Sequence, residues 1–165
     1  MFQSLLLRMN RLSQTLGNIE MILSCIFLLA MVSIVGVSVF LRYVLKSPLI
    51  AGMNFATLLL VWLSFFGASF VYREKGHIAL EFVINRFSTV IRKSITVSIY
   101  SIIAVTLIVT VVQSGYLILV QWKQQIVALD IPRSFLSIPI SITGILMILT
   151  TFNHILTELQ TPPKQ

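Results

Sequence analysis

Apolar residues fill four long stretches of this chain, and polar residues collect in the short segments between them. Leu49 to Tyr72 holds no Asp, Glu, Lys or Arg. A helix needs about 20 residues to cross a hydrocarbon core about 30 Å thick, so this stretch is long enough to span. Arg73, Glu74, Lys75 and His77 then arrive together and set the membrane boundary at Tyr72–Arg73. The pattern predicts spans over 19–41, 49–72, 94–120 and 135–156. Span three is long enough for a tilted crossing. Gln113 is its one amide, and Tyr116 and Trp122 mark the far interface.

Two shorter segments have a different rhythm. Over residues 1–16, Phe2, Leu5, Met9, Leu12 and Leu16 recur at helical spacing with Arg8, Asn10 and Arg11 between them. That pattern suits an amphipathic helix lying in the membrane interface; the alternative is the frayed start of span one. Over 79–92, Leu80, Val83, Ile84, Phe87, Val90 and Ile91 fall on one stripe, while Glu81, Asn85, Arg86 and Arg92 lie mostly elsewhere. This segment is too short and too polar to span, and reads as a second interfacial helix. Ser47-Pro48 makes a turn between spans one and two. Pro139 falls in the first or second turn of span four, where a missing amide hydrogen costs least.

Composition fits this layout. The chain of 165 residues is 57% hydrophobic and 10% charged, against about 25% charged in soluble domains. Its mean hydropathy is +0.97. The fold class expected is an all-α integral membrane protein, with four transmembrane helices and cytoplasmic-side interfacial amphipathic helices, in a single domain. The net charge of +7 comes from basic residues spread over loops. They form no stripe for nucleic acid, and membrane phospholipids with anionic headgroups are the simpler partner. With the N-terminus inside, the cytoplasmic face holds Arg8, Arg11, Arg73, Lys75, Arg86, Arg92, Lys93 and Lys164. The outer face holds Arg42, Lys46, Lys123 and Arg133. Eight against four places both termini in the cytoplasm. No small-residue cleavage site follows a short apolar core, so the N-terminus is not read as a secretory signal.

Candidate chemistry is sparse. Two histidines and five acids allow no Ser/His/acid set, so the chain reads as a non-enzyme with no catalytic, cofactor-binding or metal site. The single cysteine, Cys25, allows neither an intramolecular disulfide nor a cysteine-based metal site. Glu20, in the first turn of span one, reads as an interfacial or capping carboxylate. The competing reading makes it the coupling group of a small self-sufficient drug/proton exporter, although it stands far from the midplane. His77 and His154, near one face, allow a second alternative, a haem-bearing membrane anchor. Transporters keep ionisable residues near the midplane because burying a charge there is costly. The span interiors here keep none, so the chain reads as an accessory or scaffold subunit. Ser33 with Gly36, Ser64 with Gly67 and Ala68, and Ser141 with Gly144 are small-residue patches that permit close helix packing.

One ordered motif stands out. Trp62, Gly67, Ala68, Arg73, Gly76, His77, Ile78 and Glu81 spell W-x4-GA-x4-R-x2-GHI-x2-E. Arg73, His77 and Glu81 are spaced i, i+4, i+8, so a helix unbroken at Gly76 would stack them on one face. The motif resembles the signature of the small membrane subunit of tripartite ATP-independent periplasmic (TRAP) transporters, the DctQ type, in which an Asp often stands where Glu81 stands. Ser47-Pro48-Leu49 before span two and Leu129-Asp130-Ile131-Pro132 before span four extend the resemblance over most of the chain. It implies a non-catalytic scaffold that binds a larger membrane subunit carrying the substrate and sodium sites. It also implies a periplasmic substrate-binding protein that delivers an organic anion, such as a dicarboxylate or an acidic sugar, at the bacterial inner membrane. Arg42, Trp62, Gly67, Ala68, Arg73, Gly76, His77, Glu81 and Pro132 become the interface or structural candidates. One feature departs from the family: members often carry an acidic pair in the context W-x-E-E before span two, where this chain reads Ala51-Gly52-Met53-Asn54.

Overall fold

The structure is a computed structural model. It describes the backbone of residues 2–47, 49–84, 89–126 and 129–160, and the side chains of 15–47, 49, 51–74, 94–126 and 129–156. Four helices, α1 (Phe2–Tyr43), α2 (Ile50–Ile84), α3 (Thr89–Gln121) and α4 (Ile138–Gln160), make up the fold, with a 3-10 turn over Arg133–Leu136 before α4. Among the described residues, four segments are long and apolar enough to cross a membrane: Thr15–Tyr43, Ala51–Glu74, Ser94–Gln121 and Arg133–Leu156. The chain is an all-α, multi-pass membrane protein.

The main helix contacts run α1 on α2, α2 on α4, and α4 on α3. The helices therefore stand in a row, with α2 and α4 inside and α1 and α3 at the edges. Burial follows that order. Ala56, Leu58, Leu59 and Phe66 of α2 and Thr143, Thr150 and Thr151 of α4 are buried, while Leu29 of α1 is 69% exposed and Leu119 of α3 is 76% exposed.

Several hydroxyl groups in these spans bond to their own helix. Ser64 Oγ donates to the Leu60 carbonyl, Thr106 Oγ1 to Ile102, Thr110 Oγ1 to Thr106, and Thr150 Oγ1 to Leu146, each four residues back. With no water in hydrocarbon, this back-bonding removes the penalty of a bare hydroxyl. α1 closes on Lys46 in the left-handed region (φ 50°), and the Ser47 N–H reaches the Leu41 carbonyl at 3.2 Å. Between α3 and the 3-10 turn the chain doubles back. Ile126 N–H donates to Ile131, Arg133 N–H donates to Gln124, and Asp130 takes φ 51°. Pro139 is the second residue of α4, where its lost N–H had no helical acceptor in any case.

Two elements differ from the sequence reading. Residues 2–16 and span one form a single helix, because α1 runs through Gly17 and Asn18 without interruption. The side chains of residues 1–14 lie outside the described residues. Likewise α2 passes through Gly76 to Ile84 and α3 begins at Thr89. The ends of the 79–92 segment therefore belong to two long helices, while residues 85–88 lie outside the described backbone. A single glycine costs a helix about 1 kcal/mol, which is too little to break a long helix.

Candidate functional site

The N-terminal half of α1 and the C-terminal half of α2 meet around one buried carboxylate. Ser69 and Arg73 are four residues apart on α2 and share a face. That face meets Glu20, which is 1% exposed. Ser69 Oγ donates to Glu20 Oε1 at 2.7 Å. Arg73 Nη2 lies 3.2 Å from both Glu20 oxygens, and its Nε lies 3.4 Å from Oε2. The two side chains are 7% and 2% exposed. A buried carboxylate is tolerable only when it is paired and hydrogen-bonded, and both conditions are met here. Gly17, one turn before Glu20, gives the arginine its room: a Cβ there would stand 3.1 Å from Arg73 Cδ.

This geometry revises the reading of Glu20. α1 begins at Phe2, so Glu20 lies far from the first turn and caps nothing. It faces α2, and its charge is committed to Arg73. Arg73 thus has a partner on another helix. The backbone of Gly76, His77 and Glu81 is helical within α2, but the side chains that would complete the expected column lie outside the described residues.

Beside this pair, α2, α3 and α4 converge on an aromatic cluster. Tyr72 Oη and Thr151 Oγ1 share a hydrogen bond of 2.8 Å. The His154 ring stacks on Tyr100 at 5.5 Å and meets the edge of Tyr72 at 6.5 Å. Tyr100 is buried. His154, a candidate haem ligand from sequence, is packed between two tyrosines. Among the described residues no three His, Cys, Asp or Glu side chains come together to hold a metal ion.

Trp62 stacks on Phe66 at 6.0 Å, and Phe27 of α1 meets its ring edge-on at 5.5 Å. Its Nε1 donates to the Phe135 carbonyl at 3.0 Å. Trp62 thus ties α1 to α2 by ring contact and α2 to the 3-10 turn by a hydrogen bond. α3 and α4 are joined by Ser114 and Ser141, whose hydroxyl oxygens are 2.6 Å apart. Ser137 Oγ also donates to Gln121 Oε1 at 3.0 Å. Gly144 permits that approach, since a Cβ there would lie 2.6 Å from Val111 Cγ2.

The remaining candidates scatter. A Cβ on Gly67 would make only an ordinary 3.9 Å contact with Ser24 Oγ, and Ala68 is exposed. Arg42 is exposed on a groove of about 440 Å³ between α1 and α2, lined also by Ser38, Met53 and Asn54. Pro132 (φ −55°, ψ 137°) bridges to Gln125 and leads into the 3-10 turn. Ser69, Gly17 and Tyr100 were not singled out from sequence. Ser69 carried one usable signal, its place one turn before Arg73.

Residues 31–161 match a family model described as tripartite ATP-independent periplasmic transporters, DctQ component. No curated protein matches the chain. The matched region contains Trp62, Arg73 and Ser69 but begins after Glu20, so the carboxylate that anchors Arg73 lies outside it.

Proposed function

We propose a role that proceeds from the family: the chain belongs to the DctQ components of tripartite ATP-independent periplasmic transporters. Within such a transporter it is the small, non-catalytic scaffold subunit. It binds the large membrane subunit as a heterodimer and takes part in sodium-coupled, binding-protein-dependent uptake of an organic anion, a carboxylate or an acidic sugar. It sits in the bacterial inner membrane with both termini in the cytoplasm.

The observation that carries this reading is the state of Glu20. A coupling carboxylate must release and rebind protons or ions as the site alternates. Glu20 is instead enclosed by Ser69 and Arg73, an arrangement suited to holding two helices together. The other described acids, Glu74 and Asp130, are exposed near the ends of the spans. The chain therefore supplies a stationary frame. A domain that moves through lipid needs such a frame, and a row of helices fastened edge to edge resists tipping. The exporter reading requires a free Glu20, which its pairing with Arg73 does not leave.

Co-expression with the large membrane subunit tests the role. Purification through a tag on this chain is expected to recover the large subunit in a stable heterodimer. Recovery of the small chain alone contradicts the reading.

A further inference from the structure

The α1–α2 hairpin turns where basic charge meets an apolar groove. Residues 21–73 contain no Asp or Glu, and the tip of the hairpin carries Arg42 and Lys46. Val35, Ser38, Val39 and Arg42 stand at i, i+3, i+4 and i+7, on one face of α1. With Met53 and Asn54 of α2 they line the groove of about 440 Å³, a volume in the range of small-molecule sites. Arg42 is in the last turn of α1. Val35 lies seven residues before it (42 − 35), about 10 Å along the axis at 1.5 Å per residue. The lining thus leads from a cation at the edge of the span down an apolar wall into the hydrocarbon layer.

Two polar groups in this groove are unspent. Arg42 is exposed and makes no hydrogen bond or ion pair with a described residue. Its charge complements the negative end of α1 and leaves the guanidinium donors open. Ser38 is 8% exposed, and its hydroxyl has no hydrogen-bond partner among the described residues. Ser24, Ser64 and Ser101 turn their hydroxyls onto the carbonyl four residues back, and Ser38 does not. It lies against Gly52, where a Cβ would stand 2.5 Å from Ser38 Oγ, so α1 and α2 touch at this level. The first turn of α2 holds no acid, which leaves the positive end of that helix uncompensated beside the groove.

We infer that this groove is a binding site for one anionic phospholipid, drawn from the leaflet at the Arg42 end of the hairpin. Arg42 takes the phosphate, to which a guanidinium is matched by its planar fork of donors. Ser38, one turn deeper, donates to a glycerol-ester carbonyl. The acyl chain runs down Val39 and Val35 against Met53. A free phosphate would use the arginine and leave the apolar wall bare, so the wall selects a lipid. The site needs no other subunit and stands apart from the proposed role.

Photolabelling of the full chain in phosphatidylcholine vesicles tests it. A trace of phosphatidylglycerol with a photoreactive acyl chain is added, and the adducts are mapped along the protein. Adducts at Val35, Val39 and Met53 are expected about five-fold above those from phosphatidylcholine carrying the same label. Arg42→Gln should remove that excess, and Arg42→Lys should keep most of it. Lys46 is also exposed but lies outside the groove lining, so Lys46→Gln should keep most of the excess too. Val39→Phe fills the apolar wall with the charge intact and should lower the labelling. Equal labelling by the two lipids overturns the inference, as does an unchanged excess in Val39→Phe. An equal loss in Lys46→Gln and Arg42→Gln overturns it in favour of diffuse attraction to the membrane surface. Loss of the excess on adding inorganic phosphate overturns it in favour of a free anion.

Discussion

Charge joins α1 to α2, whereas hydroxyl groups and close packing join α3 to α4. On the first side, Glu20, Ser69 and Arg73 form a buried knot. On the second, Ser114 meets Ser141 and Gly144 accepts Val111. The two fastenings should fail differently. Taking one partner from a buried ion pair strands the other charge in a low dielectric, a loss far larger than the net worth of the pair. Taking one hydroxyl from a seam leaves a neighbour that can turn onto its own backbone. A charged clasp therefore holds sharply or not at all, and a hydroxyl seam weakens by degrees.

Arg73→Ala is expected to have the largest effect, a loss of roughly 3–5 kcal/mol read from denaturant unfolding in detergent. Replacing both partners, Glu20→Leu with Arg73→Leu, should recover most of that loss, since apolar residues of similar volume can replace a buried pair. A double variant whose loss equals the sum of the two single losses would show that the two groups act separately. Next comes the α3–α4 seam. Gly144→Ala places a methyl against the stiff side chain of Val111 and should cost about 1–3 kcal/mol. Trp62→Phe keeps the ring packing but removes the bond to the Phe135 carbonyl, a loss of about 1 kcal/mol. Ser114→Ala should be the mildest, about 0.6 kcal/mol. If it proves as costly as Arg73→Ala, the contrast between the two fastenings fails.

The spans were legible because each is a long apolar run bounded by charge, and in lipid a helix is the one such element that satisfies its own backbone. The helical continuity at Gly17 and Gly76 was less legible. Amphipathic spacing is the same for a separate interfacial helix and for the extension of a spanning one, so residues 1–16 and 79–84 gave no local signal of which they were. Pairing across helices was hidden more deeply. Arg73 had His77 and Glu81 at helical spacing on its own helix, and only the antiparallel register of α1 on α2 brings Glu20 to it. Glu20 looked terminal because the apolar run begins beside it, but α1 starts well before that run.

The central claim is that these four spans hold a frame together and offer a moving solute nothing to bind. Uptake into proteoliposomes under an inward sodium gradient tests it most directly, with a dicarboxylate or acidic sugar and its binding protein outside. Vesicles containing this chain alone should accumulate no more solute than protein-free vesicles, and adding the large subunit should restore uptake. Accumulation against a gradient by this chain alone would contradict the account.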